Sequence, residues 1–503
     1  MPRISHGKVV TLAQVDAALK SIHLINASFG RQVINVAPLV LTRFDYLFPD
    51  LQNDPQSRLP EHPDTVKNLR ELGKSMSEAP GQQSDSNIPS AYTYFGQFVD
   101  HDITFEAVTR DIPLNDDNLA PLPLDEARQI KNIRTAILDL DSVYGSYCND
   151  TDCQPPPRQG EKMLLQMVAG TPLEGHDYFN DLPREFDPLL NGAAKIGDGR
   201  NDENVMVSQM HVAFLRAHNA IVDLGNDFEA ASRLLRQHYQ WIVIGDFLDR
   251  IGHPETLAKV RADPKKFYDP PDDSFFIPLE FTVAAFRFGH SMVRRTYDLN
   301  EEQTDTPFGF TLMSHALDDY HNLLGNWVIR WKNFVRGGVN VARRLDTQLV
   351  EPLEFLRDEN GMLVKFETRL AVRNLLRGYV LRMPTGQAVA QALGLPPEHR
   401  MSAADIEGVA DEVSHKQAQV LADLGFSGRT PLWFYILAEA AKFGSGNSLG
   451  PVGTTLVASV LIGLVRRSHD SILKEQDWAP TLGPTPGQFT LPDLLRLAGV
   501  LAE

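Results

Sequence analysis

The stretch Tyr94-Phe-Gly-Gln-Phe-Val-Asp-His-Asp-Ile-Thr-Phe105 sets Gln97, Asp100, His101 and Asp102 among aromatic and aliphatic residues. Charge is out of place there unless it has a chemical task or water to face. On a helix that advances about 100° per residue, Gln97, Asp100 and His101 fall within one arc, while Asp102 points well away from Gln97. The segment therefore either serves two sites at once or ends a helix whose Asp-His-Asp run is simply solvated.

Two further stretches stand out. Gly197-Asp-Gly-Arg-Asn-Asp-Glu-Asn204 leads into Met210-His-Val-Ala-Phe-Leu-Arg-Ala-His-Asn219. A helix starting near Arg200 would put that residue and Glu203 on one face. The alternative is a charged helix start in which Asp202 and Glu203 favour the dipole. His211 and His218 lack the carboxylate that a zinc-protease helix places between its histidines, so structural hydrogen bonding is expected of them. Phe281-Thr-Val-Ala-Ala-Phe-Arg-Phe-Gly-His290 ends an apolar run on a histidine. That histidine is either a satisfied core residue or the neutral imidazole that a haem iron needs in an apolar wall.

The 503 residues, 43% of them hydrophobic, can bury a large core, and no repeat or long Gly/Ser linker divides them. Apolar residues recur at helical spacing over Val15–His23, Asn204–Leu224, Phe228–Ile251, Val283–Arg295, Thr368–Leu381, Leu432–Lys442 and Thr454–Val465. No series of alternating strands is evident, and Asn149–Gly160, Gly175–Gly199 and Asp263–Asp273 read as long connections. The expectation is an all-α, mainly helical fold with long irregular loops.

A net charge of −17 argues against nucleic acid or an anionic membrane surface as partner. The longest apolar run, Thr455–Val465, falls short of the roughly 20 residues that span a bilayer. Met1–Val10 lacks a signal-peptide pattern, so the expected location is cytoplasmic, or outside without a cleaved leader. Cys148 and Cys153 allow either a small disulfide or two thiols.

In order and spacing these segments resemble the animal-type haem peroxidases of the peroxidase and cyclooxygenase superfamily, in particular a bacterial-type member. The resemblance covers roughly residues 85 to 470. It implies a haem-peroxidase domain over 85–470, with an N-terminal extension over 1–84 wrapping the core and a C-terminal segment over 471–503 packed on the same domain. Phe95-Gly-Gln-Phe-Val-Asp-His-Asp102 resembles the distal-histidine segment, which makes His101 the distal histidine and Gln97 its neighbour. Arg200 becomes the distal arginine, and Asp100 and Glu203 become candidate esters to the edge of a haem b. Thr135-Ala-Ile-Leu-Asp-Leu-Asp-Ser-Val-Tyr-Gly-Ser146 resembles the family's calcium loop, implying Thr135, the Ile137 carbonyl, Asp139, Asp141 and Asp102 as ligands. Hard oxygen ligands suit calcium; the family often has a serine where Asp141 stands. His290 matches the axial iron ligand, and Asn374 in Val372-Arg-Asn-Leu-Leu-Arg-Gly378 matches the asparagine that orients it. The chain then departs from the family's Arg-Asp-His-Gly continuation and reads Tyr-Val-Leu-Arg-Met-Pro.

The implied reaction is reduction of hydrogen peroxide, with small donors such as iodide, thiocyanate, bromide or phenols giving up electrons. Its catalytic residues would be His101, Arg200 and Gln97, and a response to oxidative stress is a fitting role. Peroxide must lose a proton from one oxygen and gain one on the other, which a single imidazole does in turn. A guanidinium that cannot deprotonate suits the charge on the leaving oxygen. Asn204 stands where the strongly oxidising, chloride-using relative has a sulfur-linked methionine, so chloride is expected to be a poor donor. A fatty-acid dioxygenase of the same superfamily is the first rival; its redox tyrosine sits in a Tyr-x-x-His setting, and Arg287 occupies that position here, counted instead with the cofactor-binding residues. A haem-free adhesion or scaffold domain is the second.

Overall fold

The computed structural model describes residues 10–11, 42–79, 81, 84–108, 112–145, 157–171, 173–174, 178–184, 192, 194–309, 322–335, 339–357, 362–364 and 367–502. Val15–His23, Cys148 and Cys153 lie outside them. The described body is mainly helical. Its principal helices are Pro63–Ser75, Ala91–Ile103, Val205–Asp223, Phe228–Ile242, Leu370–Val380, Leu432–Phe443, Pro451–Arg467 and Leu491–Leu497. None is long and apolar enough to cross a membrane.

The helix Pro451–Arg467 is buried on every side from Pro451 to Val465, as its uninterrupted apolar sequence requires. Its first amide groups cannot reach water. The Glu439 carboxylate of the neighbouring helix Leu432–Phe443 accepts from Val452 N at 3.0 Å and Gly453 N at 2.6 Å instead. The helix Ala91–Ile103 packs against Val205–Asp223, where Phe98 stacks on Phe214 with ring centroids 4.5 Å apart.

Two expectations need correction. Phe228–Ile251 is not one regular helix but carries a π-helical turn at Val243–Phe247. Val283–Arg295 is not an α-helix: Glu280–Ala284 is π-helical and Ala285–Met292 is 3-10. Apolar periodicity reports which side is buried, not the winding of the backbone, and π-turns gather at functional positions.

Strands are short. A five-stranded sheet runs in the order Val10–Thr11, Glu106–Val108, Lys131–Asn132, Thr42–Asp45, Phe276–Pro278. Glu106–Val108 follows the His101 helix directly, and Phe276–Pro278 feeds the segment that ends at His290. The sheet thus ties the exit of one histidine-bearing element to the entry of the other.

Candidate active site

His101 lies in the last turn of the helix Ala91–Ile103, 1% exposed. Its Nδ1 sits 2.9 Å from Asn201 Oδ1, an arrangement in which the ring donates from Nδ1 and carries its lone pair on Nε2. Nε2 has no hydrogen-bond partner among the described residues, and Glu203 Oε1 lies 3.7 Å from it. Burial, then the nearby Arg200 cation, holds the imidazole below its usual pKa. A neutral ring with a free buried lone pair is a poised base.

Arg200 stands beside it without touching the ring. Its Nη2 donates to the carbonyl oxygens of His101 at 3.0 Å and Thr104 at 2.6 Å, and its guanidinium lies 4.4 Å above the Phe105 ring. Asp198 anchors it, accepting from Nη2 at 2.7 Å and from the backbone amide at 2.9 Å. Nη1 makes no hydrogen bond among the described residues and remains as a donor. Burial alone would push the Asp198 carboxyl up, but Arg134 and Arg200 together hold it well below the ordinary carboxylate range. Arg134 Nη2 reaches Asp198 at 2.9 Å and Arg134 Nη1 reaches Asp141 at 3.4 Å.

The expected helix start at Arg200 is not found. Gly199–Asp202 is a 3-10 turn capped by Asp198, and the helix begins at Val205, where Asn204 Oδ1 accepts from Val207 N at 3.0 Å. Glu203 still meets Gln97, through a hydrogen bond from Gln97 Nε2 to Glu203 Oε1. Asp202 faces the other way, into a fully buried pair with Arg184, whose Nη1 donates at 2.7 Å while Asp181 takes Nε at 2.8 Å. Asp100 accepts from Thr104 Oγ1 at 2.9 Å and is half-buried.

On the far side of the same helix, Asp102 meets Asp139 and Asp141, the three offering oxygens within 4.8 Å of one another. Asp102 accepts from Leu140 N, Ser142 N and Ser142 Oγ, and Thr135 Oγ1 donates to Asp139 at 2.8 Å. Asp139 Oδ2 and Asp141 Oδ1 are buried without hydrogen bonds among the described residues. Burial, then mutual repulsion, raises Asp102 and lifts Asp139 to about 7. The loop is strained as well: Ala136, Leu138 and Leu140 all take left-handed φ of 59°, 51° and 58°. Each such residue costs about 1–2 kcal/mol and persists only where its surroundings dictate it. Gly197 packs so closely here that a Cβ would overlap the carbonyl oxygens of Asp141 and Ser142.

His290 lies in the 3-10 segment, half-buried, and that segment packs against the His101 helix. Asn374 Nδ2 is 2.8 Å from His290 Nδ1, and Asn374 Oδ1 accepts from Arg287 Nη1 at 3.2 Å. Burial holds the Arg287 pKa down, with Asp100 pulling it up. One turn beyond Asn374, buried Arg377 pairs with Glu106, and burial lowers its pKa to about 10.

The sequence-derived residues thus form two groups, His101, Arg200, Gln97 and Glu203 in one and His290, Asn374 and Arg287 on a neighbouring segment, with the acidic cluster on the far side of the His101 helix. Asn201, Asp198, Arg134, Arg184 and Arg377 were not foreseen. Of these only Asp198 carried a signal, a capping residue two positions before Arg200.

A model described as animal haem peroxidase matches residues 116–424, starting after the His101 helix. A peroxidase-like protein of Margaritifera margaritifera is 26% identical over 55% of this chain and 41% of its own length. Human thyroid peroxidase is 26% identical over 57% of this chain and 33% of its own length. The chain therefore spans well under half the length of these relatives. Among solved structures, peroxidase A from Dictyostelium discoideum superposes with a TM-score of 0.63 at 16% identity, covering 92% of this chain and 94% of that one. A fatty acid alpha-dioxygenase of Oryza sativa gives 0.53 at 14%, covering 84% and 74%. The two structural likenesses establish the fold; the matched residues, more than half of the chain, establish that it belongs to the animal haem peroxidase family.

Proposed function

We propose that the protein is a haem peroxidase that reduces hydrogen peroxide and oxidises small donors, among them iodide, thiocyanate, bromide and phenols. The observation that carries this reading is the pairing of a buried, neutral His101, its Nε2 unpartnered, with an anchored Arg200 that keeps Nη1 free. When bound, haem b supplies the iron at which peroxide is reduced and through which the donor's electrons pass. His101 Nε2 takes the proton from one peroxide oxygen and returns it to the departing one. Arg200 Nη1 faces the negative charge that grows there, at a guanidinium that cannot give up its proton.

The residues around His290 fit a haem. Iron requires the Nε2 lone pair, hence a proton on Nδ1 donated to a fixed acceptor. Asn374 is within 2.8 Å and supplies that acceptor once its amide is turned end for end. The same turn takes Oδ1 from Arg287, leaving a buried cation for a haem carboxylate. Asp100 and Glu203 are the carboxylates proposed to form haem esters. Asp102, Thr135, Ile137, Asp139 and Asp141 are proposed to hold calcium; the two buried carboxylate oxygens without hydrogen bonds and the left-handed loop support it.

The dioxygenase reading has the structural neighbour in its favour, but Arg287, not a tyrosine, stands three residues before His290. Reconstitution with haem tests the proposal: a Soret band and peroxide-dependent iodide oxidation are expected, and His290→Ala should greatly weaken the band. A haem-saturated His290→Ala protein with an unaltered spectrum refutes the ligation.

A further inference from the structure

Asn201 touches two histidines at once. Its Oδ1 lies 2.9 Å from His101 Nδ1, and its Nδ2 lies 3.0 Å from His211 Nδ1. All three side chains are essentially inaccessible to solvent. An amide has one accepting and one donating end, so the two contacts constrain each other. With Oδ1 toward His101, that ring must be protonated on Nδ1 and bare on Nε2, while His211 must present a bare Nδ1. With the amide reversed, Asn201 would donate to His101 Nδ1, the proton of His101 would sit on Nε2, and the ring could accept nothing at the face where peroxide chemistry is proposed.

We propose that His211, through Asn201, fixes the tautomer of His101 and thereby keeps its Nε2 lone pair available as the base. This rests on the peroxidase reading for its consequence in turnover, but the relay itself is a property of the protein. Asn201 and His211 are positioning residues; neither reaches the reacting atoms.

Three observations favour the relay over simple packing. His211 Nε2 is buried with no partner, a loss that phenylalanine, which would fill the same space beside Phe98, does not incur. Burial drives the His211 imidazole down to about 3, so the ring stays neutral and is able to present a bare Nδ1; a cation there would donate and reverse the amide. Asn201 is itself fixed, since it sits in the 3-10 turn capped by Asp198 and clamped through Asp202 to Arg184. The turn that presents Arg200 therefore presents Asn201 as well, so one loop delivers the charge-stabilising group and sets the protonation pattern of the base.

The test uses the full chain with 15N-labelled histidine, the His101 signals being assigned by their loss in His101→Gln. Long-range 15N–1H correlation should show His101 protonated on Nδ1 in the native protein. His211→Phe and Asn201→Leu should give a mixture or the opposite tautomer, and His211→Gln, which restores an acceptor toward Asn201, should recover the native pattern. In haem-loaded protein, stopped-flow reaction with peroxide should slow about tenfold or more in His211→Phe, a wrong tautomer in a serine-protease triad costing about 10⁴-fold. The double variant His211→Phe/Asn201→Leu should be no slower than Asn201→Leu alone, because both changes break one path. Native His101 protonated on Nε2, or a tautomer unchanged in both His211→Phe and Asn201→Leu, overturns the relay. A native protein that takes up no haem but keeps Nδ1 protonated refutes the peroxidase reading and leaves the relay standing. Should His211→Phe fail to fold, His211→Gln and Asn201→Leu still decide between the outcomes.

Discussion

Replacing Asp198 by asparagine removes one negative charge and leaves the shape of the side chain intact. In the native protein that charge serves two buried guanidiniums, Arg200 at 2.7 Å and Arg134 at 2.9 Å. Taking away one partner of a buried ion pair costs about 3–5 kcal/mol, because the other charge stays behind unpaired. Unfolding entropy near 2.1 cal/mol/K per residue gives roughly 1 kcal/mol/K for a chain of 503 residues, so the melting temperature should fall by about 3–5 °C. The effect on chemistry should be larger than the effect on stability. Arg200 keeps its bonds to the carbonyl oxygens of His101 and Thr104 but loses the contact that sets its angle, and a 1 Å displacement of a positioned group costs about 100-fold. Stopped-flow reaction of the haem-loaded Asp198→Asn protein with peroxide should therefore be about 10- to 100-fold slower, while the KM for iodide stays as in the native protein. A variant that reacts at the native rate and melts within about 1 °C of the native protein would refute the claim that Asp198 is the anchor.

Elemental analysis should find calcium in active protein, and Asp139→Ala should lose both the metal and most peroxide turnover; active protein free of calcium removes the site. His238 accepts from Thr481 N at 2.9 Å and Leu482 N at 3.2 Å, and burial holds it down to about 4, below its usual 6.5. The unfolded chain therefore binds this proton more readily between those values, so stability should fall as pH drops, by about 2 kcal/mol between pH 7 and 5, measured as the difference in urea midpoint between native and His238→Asn protein. Asn204→Met should destabilise by about 1 kcal/mol through loss of the helix cap, whereas Asn204→Asp should not. Native protein should oxidise iodide and thiocyanate with hypochlorous acid production near background; efficient chloride turnover at neutral pH would remove position 204 as the control.

What could be read from the sequence was what local context announces. Gln97 and His101 were conspicuous because polar groups interrupt an aromatic run, and the helix that carries them follows from that run. The acidic loop was legible through its resemblance to a family's calcium loop, which places Asp139 and Asp141 two apart, while Asp102 comes from 37 residues upstream of Asp139 and is brought in by the fold. The Arg200 region was half legible: Asn204 before Val-Met-Val is a capping signal, yet the charged residues upstream put the expected helix start five residues too early. The winding before His290 could not be read, because a π-turn and a 3-10 turn bury the same apolar residues an α-helix would. Arg184 with Asp202, and Arg377 with Glu106, join positions 18 and 271 apart, and only the fold creates such pairs.

The acidic cluster and Arg200 belong to one electrostatic system, and Arg134 is the link. Its guanidinium stands between Asp141, a member of the cluster, and Asp198, the anchor of Arg200. Burial and the neighbouring carboxylates push Asp102 and Asp139 toward the protonated state, and burial does the same to Asp141 against the pull of Arg134. Arg134 is shared between Asp141 at 3.4 Å and Asp198 at 2.9 Å. A divalent ion, if held there as proposed, would satisfy Asp141 and leave Arg134 to Asp198, the anchor of Arg200. Gly197, too close to the Asp141 and Ser142 carbonyls to carry a side chain, makes the coupling mechanical as well, because the loop bearing Asp198, Arg200 and Asn201 rests directly on the acidic loop. Asp102 and His101 are neighbours on one helix, so the acidic cluster and the His101 side of that helix are joined electrostatically through Arg134 and Asp198.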